Sequence, residues 1–386
     1  MKFFKKLLKF IVIFFALGIA ILYITDTDYL IKAVRTIYLK GHSTAYLEDY
    51  KEFDNQVIEP GTPQPWNNHK DYNSMTVTPK LEKANQDWGT IAYVIIKNDS
   101  IWFEKYYDGF DENSKSNSFS MAKSYVSGLL GKAIMDGHIK NLDQPVCDFL
   151  PAFCDGKAAK MTVGDLSSMA SGTNWDEAYY SPLSITTRAY FDDDLAKVMN
   201  GLDVVNEPGQ AFKYASGDTQ MLAMVIEKAT GKKLYTYLEE SFWKPLGSEN
   251  STLWQVDSKD HDLVKAYCCI ASNAKDFARF GKLYKDFGKW NGQQVLDSSF
   301  VAKSIKPRFP AGPEYGYGWW LKQQNGKDFF MMRGHLGQYV IVQPEDNVII
   351  VRLGHSKGPG DALKTFTDDI STYIDEGYKM LGSSLN

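Results

Sequence analysis

The chain has 386 residues, 44% of them hydrophobic and 23% charged, with 43 basic and 47 acidic side chains and a net charge of -4. That length builds one large or two modest cores, and the composition is that of a mostly globular protein. Both charge signs are mixed along the chain and the only basic cluster is N-terminal, which excludes a nucleic-acid partner.

Lys2, Lys5, Lys6 and Lys9 precede the apolar run Phe10 to Ile24. The run suits a membrane segment and is close in length to a signal-peptide core. The small pair Gly18/Ala20 lies inside the run, with more apolar residues after it, and makes a poor cleavage site. Residues 1–24 are therefore expected to be an uncleaved membrane anchor. The lysines would be cytoplasmic and the catalytic domain in the periplasm or outside the cell; cleavage would make the protein secreted. Residues 25–77, including "EPGTPQPWNNHKDYN" (Glu59 to Asn73), have the composition of a polar connection.

From Thr78 the pattern is that of a folded domain. "TIAYVIIKNDSIWFEKYY" predicts two strands around an Asn98-Asp99 turn, and a helix follows from about Phe119 to Gly137. Residues 141–250 read as helices and long loops, the strongest being "TQMLAMVIEKATGKKLYTYLEESFW". Strand patterning returns in "YGYGWWL", "KDFFMMRGHLGQYVIVQ" and "NVIIVRLGH", and "DALKTFTDDISTYIDEGYKML" closes the chain as an amphipathic helix. The predicted fold class is α/β (α+β). Residues 78–140 and 251–386 would form a mainly antiparallel sheet flanked by helices, and 141–250 a mostly helical subdomain.

Four cysteines in an exported chain permit disulfides. Cys147 and Cys154 could close a short loop; adjacent Cys268 and Cys269 are expected to be poor partners and to serve as small core residues. No Cys/His spacing resembles a zinc site, and no metal or organic cofactor is expected.

Three Ser-x-x-Lys pairs occur, at Ser120, Ser241 and Ser272, where roughly one is expected by chance. Ser241 runs into Pro245 at a helix end, and Ser272 is positioned to cap a helix. Ser120 opens an apolar helix, so Lys123 at i+3 shares its face and can accept the hydroxyl proton. A lysine does this only when neutral, and the apolar flanks of "NSFSMAKSYVSG" are suited to burying it.

The order of segments from about Thr90 to Gly354 resembles the serine β-lactamase and penicillin-recognising superfamily. The branch is class C-like, with its related esterases, D-aminopeptidases and 6-aminohexanoate-oligomer hydrolases. Ser120-Met-Ala-Lys123 matches the first motif. Tyr214-Ala-Ser216, after a Pro-Gly turn and before a helix, matches the second, and Gly334-His-Leu-Gly-Gln338 occupies the place of the Lys-Thr-Gly strand. The resemblance implies a β-lactamase/transpeptidase-like fold in which Ser120, Lys123 and Tyr214 are catalytic. It further implies an oxyanion held by the N–H groups of Ser120 and Gln338, with Ser216 orienting Lys123 or the substrate. His335 stands where many relatives have lysine, a weaker anchor for a substrate carboxylate. "NWDEAYYSP" is most similar to the oligomer hydrolases and makes Tyr179 a candidate substrate contact.

The expected activity is acyl transfer to water from a small-molecule or peptide-like amide or ester. The alternatives are a D-alanyl-D-alanine-type peptidase, a β-lactamase, or a non-catalytic penicillin-binding-like sensor.

Overall fold

Strands that read as unbroken apolar runs imply a sheet covered on both faces. The computed structural model describes residues 2–360 and 365–382. From the N-terminus the chain forms α1 (Lys2–Ile24), α2 (Tyr29–Thr36), β1 (Asn55–Ile58), β2 (Asn67–Asn68), α3 (Pro79–Asp87), β3 (Thr90–Lys97), β4 (Ser100–Tyr106), β5 (Ser116–Asn117) and α4 (Ala122–Met135). Between 141 and 250 come α5 (Val163–Ser167), α6 (Ile185–Phe191), α7 (Leu195–Asn200), α8 (Ser216–Thr230) and α9 (Leu234–Leu238). The remainder is β6 (Thr252–Gln255), β7 (Ile270–Ser272), α10 (Ala274–Lys285), β8 (Lys289–Trp290), β9 (Gln293–Gln294), α11 (Ser298–Ser304), β10 (Trp320–Gln324), β11 (Lys327–Gly334), β12 (Gln338–Gln343), β13 (Val348–Gly354) and α12 (Asp368–Met380). Residues 361–364, at the start of the expected closing helix, and 383–386 lie outside the described residues.

Seven strands lie in the order β10-β11-β12-β13-β3-β4-β2, antiparallel except where β2 runs parallel to β4. Along β3, Tyr93 and Ile95 pack with Leu81 of α3 and Ile370 and Tyr373 of α12. Val94 and Ile96 pack on the other face with Phe277 and Phe280 of α10. Burial on both faces replaces alternation by a continuous apolar run. A Cβ on Gly281 of α10 would come within 2.8 Å of Val340, so this glycine lets the helix lie close on β12. The β3–β4 turn has Asn98 and Asp99 at φ 50° and 59°. These left-handed values are those a two-residue hairpin of this type requires, and Asn and Asp tolerate them well.

The second sheet, β1-β6-β7-β5, ties the N-terminal part to the site. Residues 25–77, expected as a connection, are packed on the domain instead: β1 pairs with β6, and Tyr29, Ala33, Ile37, Leu47, Phe53 and Ile58 are buried. α1 has no buried residue along its 23 residues.

Both cysteine pairs are bonded, Cys147 to Cys154 and Cys268 to Cys269. The second corrects the expectation that adjacent cysteines would not pair. Cys269 has φ 79°, a left-handed turn between β6 and β7 that folds the backbone back. Ser272 also differs from expectation: it lies in β7, and Asn273 caps α10 by accepting the Asp276 N–H.

Candidate active site

The Ser120 turn is held by side chains on either side of it. β5 pairs with β7, Ser118 N–H donates to the Ile270 carbonyl at 2.7 Å, and Asn117 Oδ1 accepts the Phe119 N–H at 2.9 Å. Phe119 is thereby kept at φ 44°, an uncommon conformation for a bulky residue that persists only where its surroundings fix it. One 3-10 turn, Phe119–Met121, then leads into α4. A Cβ on Gly334 would lie 2.2 Å from the Ser118 carbonyl oxygen, so glycine at the end of β11 allows that strand to abut the turn.

Lys123 Nζ donates to Ser120 Oγ at 2.9 Å and to the Tyr267 carbonyl at 2.8 Å. The β5–β7 pairing brings that carbonyl, just before β7, to the start of α4. The lysine is 3% exposed, and burial lowers its pKa from 10.5 to about 8 against the opposing charge of Glu177. The other two Ser-x-x-Lys lysines are salt-bridged: Lys244 to Glu239, and Lys275 to Glu104 and Glu112. The hydrogen bond from Glu239 raises the pKa of Lys244; for Lys275 burial is outweighed by Glu112 and Glu104. Of the three, only Lys123 is set towards its neutral form.

α8 packs against α4, which carries Tyr214 and Ser216 to the same place. The Tyr214 ring centroid lies 5.2 Å from Lys123 Nζ. Burial and the Glu177 charge push its phenol pKa up, opposed by a hydrogen bond with Ser120, so it is a neutral phenol at physiological pH. Ser216, expected to orient Lys123 or substrate, gives its hydroxyl proton to Glu177 at 2.5 Å, and its backbone N–H donates to the same carboxylate at 2.8 Å. Trp175 Nε1 donates to it at 2.7 Å, as does the Tyr179 hydroxyl. Glu177 therefore organises this wall of the site, yet it carried no signal beyond its place in "NWDEAYYSP".

Tyr179 is 38% exposed and stacks on the His335 ring at 5.3 Å, with Phe119 edge-on to that ring at 5.5 Å. Burial, with the Lys357 charge, lowers the His335 pKa to about 4, so the ring is neutral. Its Nε2 is buried with no protein partner. The Gln338 side chain is turned away to Gly354, donating to its carbonyl at 2.7 Å and accepting its N–H at 3.1 Å. Arg333 donates to the Thr365 carbonyl at 2.6 Å and lies over the Trp320 ring. Among the described residues no group of three or more His, Cys, Asp or Glu is arranged to hold a metal.

A Beta-lactamase family model matches residues 79–372. The chain belongs to the Beta-lactamase family. It is 24% identical over 307 residues to the 6-aminohexanoate-dimer hydrolase of Paenarthrobacter ureafaciens, covering 74% of this chain and 77% of that protein. A Bacillus anthracis structure, provisionally described as a 6-aminohexanoate-dimer hydrolase, superposes with TM-score 0.72 at 19% identity, covering 88% of this chain and 94% of the other. The D-amino acid amidase of Ochrobactrum anthropi SV3 gives TM-score 0.59 at 17% identity, covering 78% and 96%. At such identities the solved structures establish the β-lactamase-like fold. Together with the family match they make the chain a member of a hydrolase family with amide-cleaving neighbours.

Proposed function

We propose that this Beta-lactamase family member is a serine hydrolase that cleaves an amide or ester through an acyl-enzyme on Ser120. The observation that carries the reading is the 2.9 Å hydrogen bond between Ser120 Oγ and Lys123 Nζ, a buried amine with its pKa lowered to about 8. The neutral amine takes the hydroxyl proton as Oγ attacks the carbonyl. Tyr214, held as a phenol, is suited to pass a proton to the departing nitrogen or oxygen and to recover it from Lys123. The N–H groups of Ser120 and Gln338 would receive the oxyanion; donors of this kind typically contribute about 3 kcal/mol each. Water then enters and releases the acid by the reverse proton path.

The neutral, buried His335 gives a carboxylate-bearing β-lactam no cationic anchor, which favours an amidase or esterase over a β-lactamase. The P. ureafaciens relative, a 6-aminohexanoate-dimer hydrolase, supports the same choice. The apolar α1, with no buried residue, supports attachment to a membrane, with the catalytic domain outside the cytoplasm.

A fluorophosphonate probe tests the reading against a non-catalytic sensor. The native protein should be labelled and should hydrolyse p-nitrophenyl butanoate. Ser120→Ala should lose both while remaining folded, and Ser241→Ala and Ser272→Ala should keep most activity. Full turnover in Ser120→Ala would overturn the mechanism.

A further inference from the structure

Ser120 lines a cavity of about 270 Å³ that is also lined by α2, the short helix that follows α1 by four residues. α2 contributes Leu30, Ala33 and Val34, Ile37 follows directly, and Tyr180 and Phe191 line it as well. Among the described residues no Asp, Glu, Lys or Arg lines it; its polar side chains are hydroxyls and the neutral His335 ring. An ionised group on a bound chain would leave water without a partner here, which such a cavity penalises heavily. A methylene chain would meet a surface that is mostly apolar and carries no charge.

The rim has a second property. Val34, Tyr38 and Tyr180, all three lining the cavity, are 45%, 54% and 69% exposed. Exposed apolar patches of this kind mark contact surfaces. Four residues separate α2 from α1, which has no buried residue and is apolar enough to cross a bilayer.

Building on the Ser120 reading, we propose that this cavity is an acyl-chain tunnel that accepts the uncharged, linear aliphatic acyl group of a medium-chain ester or amide, with α2 as its specificity-determining wall. The acyl side is assigned because the leaving group must depart before water can enter, whereas the acyl group stays on Oγ in the covered space. A volume of about 270 Å³ admits a chain of several carbons and sets an upper limit on its length. Charged chains of the aminohexanoyl type are disfavoured by the same lining.

The test uses the full-length protein in phosphatidylcholine vesicles with p-nitrophenyl acetate, butanoate, hexanoate, octanoate and hexadecanoate. The kcat/KM should rise by up to about fourfold per methylene and level off before the hexadecanoate. The hexanoate should exceed its 6-amino derivative at least tenfold. Val34→Trp, at the exposed rim where the fold tolerates bulk, should lower the octanoate-to-acetate ratio at least tenfold, and Ala33→Phe should do the same from inside the cavity. A flat chain-length profile, a preference for the 6-amino ester, or an unchanged ratio in Val34→Trp would overturn the tunnel. Because all these readouts are Ser120-dependent, turnover surviving in Ser120→Ala would instead overturn the underlying mechanism. Two octanoyl donors distinguish the sources: p-nitrophenyl octanoate dissolved in buffer, and 1-octanoyl-2-hexadecanoyl phosphatidylcholine in the protein's own vesicles. Cleavage of either supports the tunnel and names its source; cleavage of neither, with acetate still cleaved, refutes it.

Discussion

Raising the pH from 7 to 9 should increase kcat/KM about tenfold, because Lys123 works as a base only after losing its proton. Its pKa falls from 10.5 to about 8, so its surroundings favour the neutral amine by about 3 kcal/mol, and with 3% exposure solvent screens little of that. The sign follows directly: a base whose pKa is lowered becomes active as pH rises through the lowered value. About a tenth of the molecules carry a neutral Lys123 at pH 7, half at pH 8 and about nine-tenths at pH 9. Had the amine kept its ordinary value, only about one molecule in three thousand would be competent at pH 7, and the rate would climb tenfold per unit up to about pH 10 before levelling off.

Stopped-flow hydrolysis of p-nitrophenyl butanoate between pH 5.5 and 10, corrected for spontaneous cleavage, gives this free-enzyme profile. Two neighbours must be separated from the lysine. Asp218, on α8 and hydrogen-bonded to Ser171, is buried with its pKa raised to about 7, so Asp218→Asn is needed as a control and should leave the limb near pH 8. Glu177 opposes the lowering of Lys123, so Glu177→Gln should move the limb to lower pH. His335 titrates far below this window and Tyr214 above it. A limb beyond pH 10, a flat profile, or an upward shift in Glu177→Gln would refute Lys123 as the base.

Lys123→Ala and Tyr214→Phe should each lower kcat by orders of magnitude, and the double variant should be far less impaired than their product, since both act on one proton transfer; strict additivity would separate their roles. His335→Lys should accelerate acylation by nitrocefin over that by a neutral p-nitrophenyl ester by about fivefold to somewhat over a hundredfold, the worth of a carboxylate pair of about 1 to 3 kcal/mol; equal changes would show that residue 335 does not set carboxylate preference. If α1 is an uncleaved anchor, the protein should sediment with membranes, resist carbonate and retain Met1 or Lys2; a soluble chain beginning near Ile21 would mark a cleaved signal.

Features governed by neighbours in the chain were legible in the sequence. The Asn98-Asp99 hairpin is a two-residue turn chosen by local backbone preference, and the Ser120–Lys123 contact follows from helical spacing. Tyr214 could be singled out because it directly precedes α8. What escaped was fixed by contacts across the fold. The Tyr267 oxygen that holds Lys123 belongs to the backbone, which every residue type shares, and it reaches the lysine only because β5 pairs with β7. Glu177 looks like any loop carboxylate until Trp175, Tyr179 and Ser216 converge on it. The Cys268–Cys269 bond depends on a positive φ that no spacing rule supplies.

The N-terminal segment failed for a different reason, and it concerns substrate choice. α2 has eight residues, too few for helical periodicity to stand out, and it sits in a stretch rich in polar and turn-forming residues. Composition averages over such a stretch, whereas packing acts on single side chains. Tyr29, Ala33 and Ile37, at four-residue intervals on one face, are buried, while Val34 stays exposed beside the cavity and Lys32 and Arg35 take the polar side. A helix this short shows its apolar face only through the side chains it packs against. Leu30, Ala33, Val34 and Ile37, scattered among polar neighbours in the sequence, therefore become one wall of the cavity that Ser120 also lines.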